Sequence, residues 1–305
     1  MCDICGDAGT ARRVENVSDY VTGDRFSLSQ CRRCGFARTD PIPASLDRYY
    51  ADRYRRFSPL AAWVLRRLYL RRVDGWLSRL PARGRVLEIG SGTGWMLGAF
   101  RARGWAAIGS ERSVASAAVS RHASGAAMFV GDLSAVRPGA TCDLIVMFHV
   151  LEHLADPQQV LSEAAARLGP GGTLVLGVPN IASWQARAAG RHWLHLDVPR
   201  HLVHFTPDAL ERALRASGFR VTRIDFTSLE HDPLGWVQAG LSRLGFEEAL
   251  ILKVLIRMPR RSGPVATVAA LLLAIPLGVV GLILAAASWR LGAGALMEVW
   301  ATREV

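Results

Sequence analysis

From Arg85 onward the chain alternates short apolar runs with segments of helical spacing, and no other property of the sequence restricts the fold so tightly. RVLEI, AAIGS, AMFV, DLIVMF and TLVLGV read as strands, while WMLGAFRAR, SVASAAVSRH and PQQVLSEAAARL between them carry the 3.6-residue period. Strict alternation of the two specifies βαβ units, hence an α/β protein whose parallel sheet is covered on both faces. TPDALERALRASGF adds a helix and FRVTRIDFTS a sixth strand. A mostly apolar region from about 230 to 292 follows, and ALMEVWATREV alternates as a last strand.

The first of these strands runs into VLEIGSGTGWML, with Gly90, Gly92 and Gly94 at alternate positions. Such glycines let the backbone approach a ligand closely and turn into a helix whose first N–H groups are free. No lysine follows, so a phosphate loop is excluded, and the spacing GxGxG is not the dinucleotide fingerprint GxGxxG, although an acid about 20 residues on is common to both. Glu88, at the loop entrance, is poorly placed beside a pyrophosphate and well placed beside a cation. Two more acids, Glu111 and Asp132, stand where the next strands end. There they could accept hydrogen bonds from ribose hydroxyls and from an adenine amino group. Three acids without a phosphate clamp describe a positively charged adenosine derivative.

VLEIGSGTG, GSE, GDL and DLIVMFHVLEHLADP together resemble the successive motifs of class I S-adenosylmethionine-dependent methyltransferases, particularly the branch with the ubiquinone-type O-methyltransferases. The resemblance covers roughly 85 to 228 plus the tail. It implies a Rossmann-like seven-stranded sheet with an antiparallel last strand. It also implies that Gly90, Gly92 and Gly94 line the methionine part of the cofactor, that Glu111 holds the ribose, and that residues around Asp132 and Phe148 border the adenine. Methyl transfer is an in-line displacement, so a base is needed only where the acceptor hydroxyl or amine is protonated. His149 is the first candidate for that base. Glu152 and His153 either order the loop or join His149 in a divalent-ion site. In HWLHLDVPRHLVHFTPDAL, Thr206 and Pro207 read as N-cap and first helical residue. Similar D-x-P-R-H-x-x-x-F/Y loops lie over the active site in the same branch, which puts Arg200 and His201 on the acceptor side. The competing reading is a capped loop whose polar side chains satisfy one another.

Cys2, Cys5, Cys31 and Cys34 form a C-x2-C…C-x2-C set, each second cysteine followed by glycine, Gly6 or Gly35. Four thiolates close a tetrahedral structural zinc shell, and glycine tolerates the knuckle turn. A thioredoxin-like redox pair is the alternative. The module resembles N-terminal zinc-binding portions of some sugar methyltransferases, which ubiquinone-type enzymes generally lack. The implied activity is O- or N-methylation of a small or lipid-linked acceptor. A sugar of envelope-glycan assembly is the expected case and a quinone precursor the alternative. After Pro41-Ile42-Pro43, LDRYYADRYRRF and PLAAWVLRRLYLRRVDGWLSRL read as two helices. The expected division is a zinc ribbon at 1–40, a helical lid at 41–83, a methyltransferase core at 84–229, an apolar helical insertion at 230–292 and the last strand at 293–305.

Lys and Arg outnumber Asp and Glu by 37 to 26, giving a net charge of +11 that attracts anionic partners. Nucleic acid is not the expected one. The Asn-Pro-Pro-Tyr-like motif of nucleic-acid amino methyltransferases is replaced by Phe-His-Val-Leu, and Cys142 is poorly placed for pyrimidine chemistry. A non-catalytic nucleic-acid-binding protein on the same fold is the reading from another class. MCDICGDAGTARR gives no signal-peptide core. Val265 to Trp289 carries no charge and is long enough to cross a bilayer. A single crossing would strand the last strand on the wrong side. Pro276, Gly278 and Gly281 are therefore expected to break the run into a monotopic or re-entrant hairpin on the cytoplasmic face of the membrane. A full span and a buried element are the alternatives.

Overall fold

Two sheets organise the chain, and one loop joins them. The computed structural model describes residues 1–50, 57–81, 83–136 and 141–304. Strands β1 (Thr10–Ser18), β2 (Arg25–Cys31) and β3 (Ala37–Asp40) form an antiparallel meander, and helix α1 (Pro59–Leu77) follows. The alternating region gives β4 (Arg85–Ile89), α2 (Trp95–Ala102), β5 (Ala106–Glu111), α3 (Val114–Ser124), β6 (Ala127–Val130), β7 (Cys142–Phe148), α4 (Pro157–Arg167) and β8 (Leu168–Pro179). Then come α5 (Trp184–Ala189), β9 (Val203–His204), α6 (Pro207–Ala216) and β10 (Phe219–Asp225). Helices α7 (Asp232–Arg243), α8 (Leu250–Leu255) and α9 (Pro264–Arg290) precede β11 (Leu296–Arg303).

The large sheet has the order β10-β11-β8-β7-β4-β5-β6, with β11 antiparallel to both of its neighbours. This is the Rossmann-like seven-stranded sheet with an antiparallel last strand. Its central strands are buried on both faces, as continuous apolar runs require. Leu87, Ile145, Met147, Leu174 and Leu176 point to one face and pack with Leu161 of α4 and Leu210 and Leu214 of α6. Their neighbours Val86, Leu144, Val146 and Val175 point to the other, against Trp76 of α1 and Phe100 of α2. The period of 2 thus assigns each residue to its layer. Caps set the helix starts: Ser113, Asp156 and Thr206 accept from the backbone N–H of Ser116, Gln159 and Ala209.

One expected element needs correction. The apolar run is one continuous helix, with Pro276 inside it, rather than a hairpin. A proline forfeits one backbone bond, and the Ala- and Leu-rich sequence on both sides of Pro276 favours helix enough to carry the chain through. The expected helix over LDRYYADRYRRF falls largely on positions 51–56, which lie outside the described residues; of the remainder, Asp47–Tyr49 forms a 3-10 turn. The N-terminal meander is also not self-contained at residue 40. β9, from the loop after the fifth core strand, completes its sheet in the order β1-β2-β3-β9.

Candidate active site

The glycine loop leaves β4 in the shape its sequence demands. Gly90, Gly92 and Gly94 all have positive φ, at 67°, 54° and 71°. A Cβ at Gly94 would lie 2.6 Å from the carbonyl oxygen of Ser120, and one at Gly90 would lie 2.6 Å from Val150 Cγ2. The loop therefore touches the residue that follows His149. Glu111, at the end of β5, accepts from the Gly92 N–H. Glu88 is buried, and its Oε2 has no hydrogen-bond partner among the described residues. Burial, reinforced by the nearby charge of Glu111, pushes its carboxyl up to about 8. A buried acid with an unpaired oxygen, beside backbone N–H groups and a second acid, fits a cation-bearing nucleoside and not a phosphate. Asp132 is exposed and caps its own turn by accepting from Ser134 N–H and Oγ–H. That turn bond leads the causes that hold its carboxyl below the usual range. Phe148 packs edge-on to Tyr69 at 5.9 Å and against Trp76 at 6.0 Å, and Tyr69 in turn meets Trp95, the residue after Gly94, at 6.2 Å.

His149 ends β7 in the left-handed region, with φ 57°, a conformation that costs a non-glycine residue about 1 kcal/mol or more. Its N–H donates to Gly177 O at 2.8 Å, which holds the turn. Nδ1 lies 3.1 Å from Glu152 Oε1, so with Nδ1–H donating to that carboxylate Nε2 is the basic nitrogen. His149 lines a cavity of about 490 Å³. His195, Asp197, His201, Glu230 and His231 share the polar end, and α1 and α8 supply apolar walls such as Leu65, Leu68, Leu252 and Leu255.

His201 bonds His195 O through Nδ1 at 2.9 Å, and its Nε2 lies 3.6 Å from Asp197 Oδ2. Burial and the neighbouring His153 hold its pKa well below the usual value, so it is a neutral ring. Burial disfavours the Asp197 charge, but the Arg200 guanidinium beside it more than offsets that and holds the carboxyl below the usual range. Arg200 itself is wholly buried. Its Nη1 donates to Tyr49 O, its Nη2 to Asp19 at 2.7 Å and its Nε to Asp197 at 2.8 Å. It clamps the loop to the N-terminal module and is not among the cavity-lining side chains. Ligand atoms of Glu152, His153 and His201 come within 4.8 Å of one another, whereas His149 turns aside to Glu152.

Cys2, Cys5, Cys31 and Cys34 converge, their sulfurs within 4.8 Å of one another. The Cys2 and Cys34 sulfurs lie 3.6 Å apart and those of Cys5 and Cys31 3.5 Å apart. Gly6 and Gly35 have φ of 70° and 74°, the knuckle geometry. The cluster is tied to the site: Thr206 Oγ1 donates to Cys34 O at 2.6 Å, and Thr39 Oγ1 donates to His201 O at 2.6 Å.

His231, with its ring 4.6 Å from that of His149, and the neighbouring Glu230 were not foreseen as site residues. The signal was there as an acid-histidine-acid triplet, Glu230-His231-Asp232, opening an otherwise apolar region. Arg72 of α1 bonds both Glu230 and Glu298 and stacks over Phe148 at 5.0 Å, bracing this corner.

A sheet of this order, a glycine loop at the end of its first strand and an acid at the end of its second define the class I S-adenosylmethionine-dependent methyltransferases. Residues 53–224 match the family described as a methyltransferase domain, and the chain belongs to that family. The ubiquinone biosynthesis O-methyltransferase of Rhizobium etli is 29% identical over 171 residues, covering 52% of this chain and 68% of that protein. Its counterpart from Sinorhizobium fredii is 29% identical over 169 residues, covering 50% and 66%. Among solved structures, the complex of the Haloferax volcanii Trm112 methyltransferase activator with a putative methyltransferase aligns with a TM-score of 0.51 at 17% identity, over 80% of this chain and 96% of that one. It shares the fold.

Proposed function

We propose that this S-adenosylmethionine-dependent methyltransferase methylates an oxygen or nitrogen of an amphiphilic, lipid-linked acceptor, with a sugar of envelope-glycan assembly as the expected head group. The observation that carries the proposal is the cavity, which joins a histidine-rich end to apolar walls and includes His149, the residue before the Val150 on which Gly90 packs. S-adenosylmethionine, when bound, supplies an activated methyl group. Gly90, Gly92 and Gly94 would let the backbone close on it, Glu88 would complement its positive charge, and Glu111 would hold its ribose. His149 Nε2 removes the acceptor proton, with Glu152 fixing the ring. His201, neutral and held by His195 O, accepts a hydrogen bond from the acceptor. Arg200 is a positioning residue that sets the loop carrying His201. Helix α1 forms the wall and lid of the cavity, and the four cysteines hold a structural zinc that anchors β3 against β9.

Similarity to ubiquinone biosynthesis O-methyltransferases, together with the apolar walls, favours a prenylated phenol as the second reading. Calorimetric titration with S-adenosylmethionine, then mass spectrometry of lipid extracts incubated with protein and cofactor, tests both. A methyl gain on a glycolipid supports the first and on a prenylphenol the second. Binding without any methylated lipid product would count against an amphiphilic acceptor.

A further inference from the structure

Helix α9 is built inside out for a helix facing water. Its buried positions are small, Thr267, Ala270, Gly281, Ala285 and Ser288, and Gly281 sits against the backbone of Pro233 in α7. Its outward positions are large and apolar: Leu272 is 63% exposed, Ile275 68% and Ile283 64%. Small residues toward protein and large ones outward is how helices pack when lipid is the solvent. Charge agrees with that solvent: exposed Arg257, Arg260 and Arg261 stand before the uncharged run and exposed Arg290 closes it, where anionic headgroups would meet them.

A second apolar surface adjoins the first. The start of α1 exposes Leu60 at 72%, Trp63 at 57% and Val64 at 41%, with exposed Arg66 and Arg67 following and the Arg67 guanidinium 5.3 Å from the Trp63 ring centre. The Ser58 N–H donates to Leu255 O at 2.8 Å, fastening this end of α1 to α8, which packs on α9. Leu60 and Val64 also line the cavity together with Leu252 and Leu255. A side chain that is both strongly exposed and part of a cavity wall stands at the mouth.

We propose that the first turns of α1 and the outer face of α9 dock together on an anionic phospholipid bilayer, so that the cavity opens onto the membrane and receives a lipid-anchored acceptor laterally from it. This rests on the methyltransferase reading above and adds the route by which the acceptor arrives. The acceptor's apolar tail follows Leu60 and Val64 inward, and its polar head reaches His149 without crossing water.

Vesicles of phosphatidylcholine with phosphatidylglycerol, plain or brominated on their acyl chains, test the full chain. Expected results are flotation with the anionic vesicles, loss of flotation for Leu272→Glu/Ile275→Glu, and roughly tenfold weaker binding for Trp63→Glu. Bromine quenching of tryptophan emission should be smaller in Trp63→Phe than in the parent. S-adenosylmethionine affinity, measured in parallel, should be the same in all four proteins. Cofactor binding with no vesicle binding would overturn the docking and leave the enzyme intact, as would an α9-dependent dimer by analytical ultracentrifugation in place of flotation. Vesicle binding that depends on α9, with Trp63 unquenched and its substitution without effect, would overturn the mouth at α1. Failure to bind the cofactor at all would instead strike at the methyltransferase reading.

Discussion

Arg200 and Asp19, 181 residues apart, form a 2.7 Å ion pair whose two side chains are wholly removed from solvent. The pair is stable because the other donors of the guanidinium are also met, by Tyr49 O and Asp197. Removing one partner leaves the other charged and buried. Arg200→Met or Asp19→Asn should each cost about 3–5 kcal/mol in urea denaturation, and the double variant less than their sum. Lysine at 200 has one ammonium in place of a planar fork and should not restore stability.

His149→Gln should lower kcat by about 10²–10⁴ and leave S-adenosylmethionine affinity unchanged. Glu152→Gln, which removes the carboxylate that sets the His149 ring, should lower kcat less and shift the alkaline-rising limb of its pH profile. Rapid-quench turnover across pH checks both. Equal losses of cofactor affinity and kcat in His149→Gln would point to a disrupted loop rather than a lost base.

Glu88 gives stability a distinctive pH dependence. Its carboxyl is raised from 4.5 to about 8 in the folded protein, chiefly by burial and then by Glu111. The native state therefore keeps a proton that the unfolded chain releases, so the contribution is fully present below the unfolded value and is lost as pH rises toward 8. Glu88→Gln should flatten that slope, raising Tm above pH 8 relative to the parent while weakening cofactor binding. Cofactor binding near pH 7 should release protons, visible as a buffer-dependent calorimetric enthalpy.

Metal analysis of the purified protein should find about one zinc per chain, and Cys34→Ser should lose it. Because Thr206 bonds Cys34 O and Thr39 bonds His201 O, hydrogen exchange over 197–206 should speed up in the variant and on chelation. Exchange confined to residues 1–40 would show that the cluster does not reach the site.

The core was legible in the sequence because parallel strands buried on both faces are written as unbroken apolar runs, as in DLIVMF, and because Gly90, Gly92 and Gly94 are needed for their φ. The converging cysteines were legible for the same local reason. Other features arise from distant partners. Nothing local in Val203-His204 says that these residues will pair with β3, and nothing local in Arg200 says that its fork will be used up by Asp19 and Tyr49. Phe148 illustrates the same limit: its place at a strand end is readable, but the face it takes depends on Trp76 and Tyr69 arriving from α1. Pro276 misled because a proline's local penalty is real but small beside the helical preference of its neighbours.

The two-residue pairing of β9 with β3 also bears on synthesis. Chain growth from the N-terminus delivers the first three strands long before Val203 and His204 emerge, so the leading meander must wait with an open edge while the βαβ units assemble behind it. Transplanting the first forty residues onto another enzyme would carry that unprotected edge along with them.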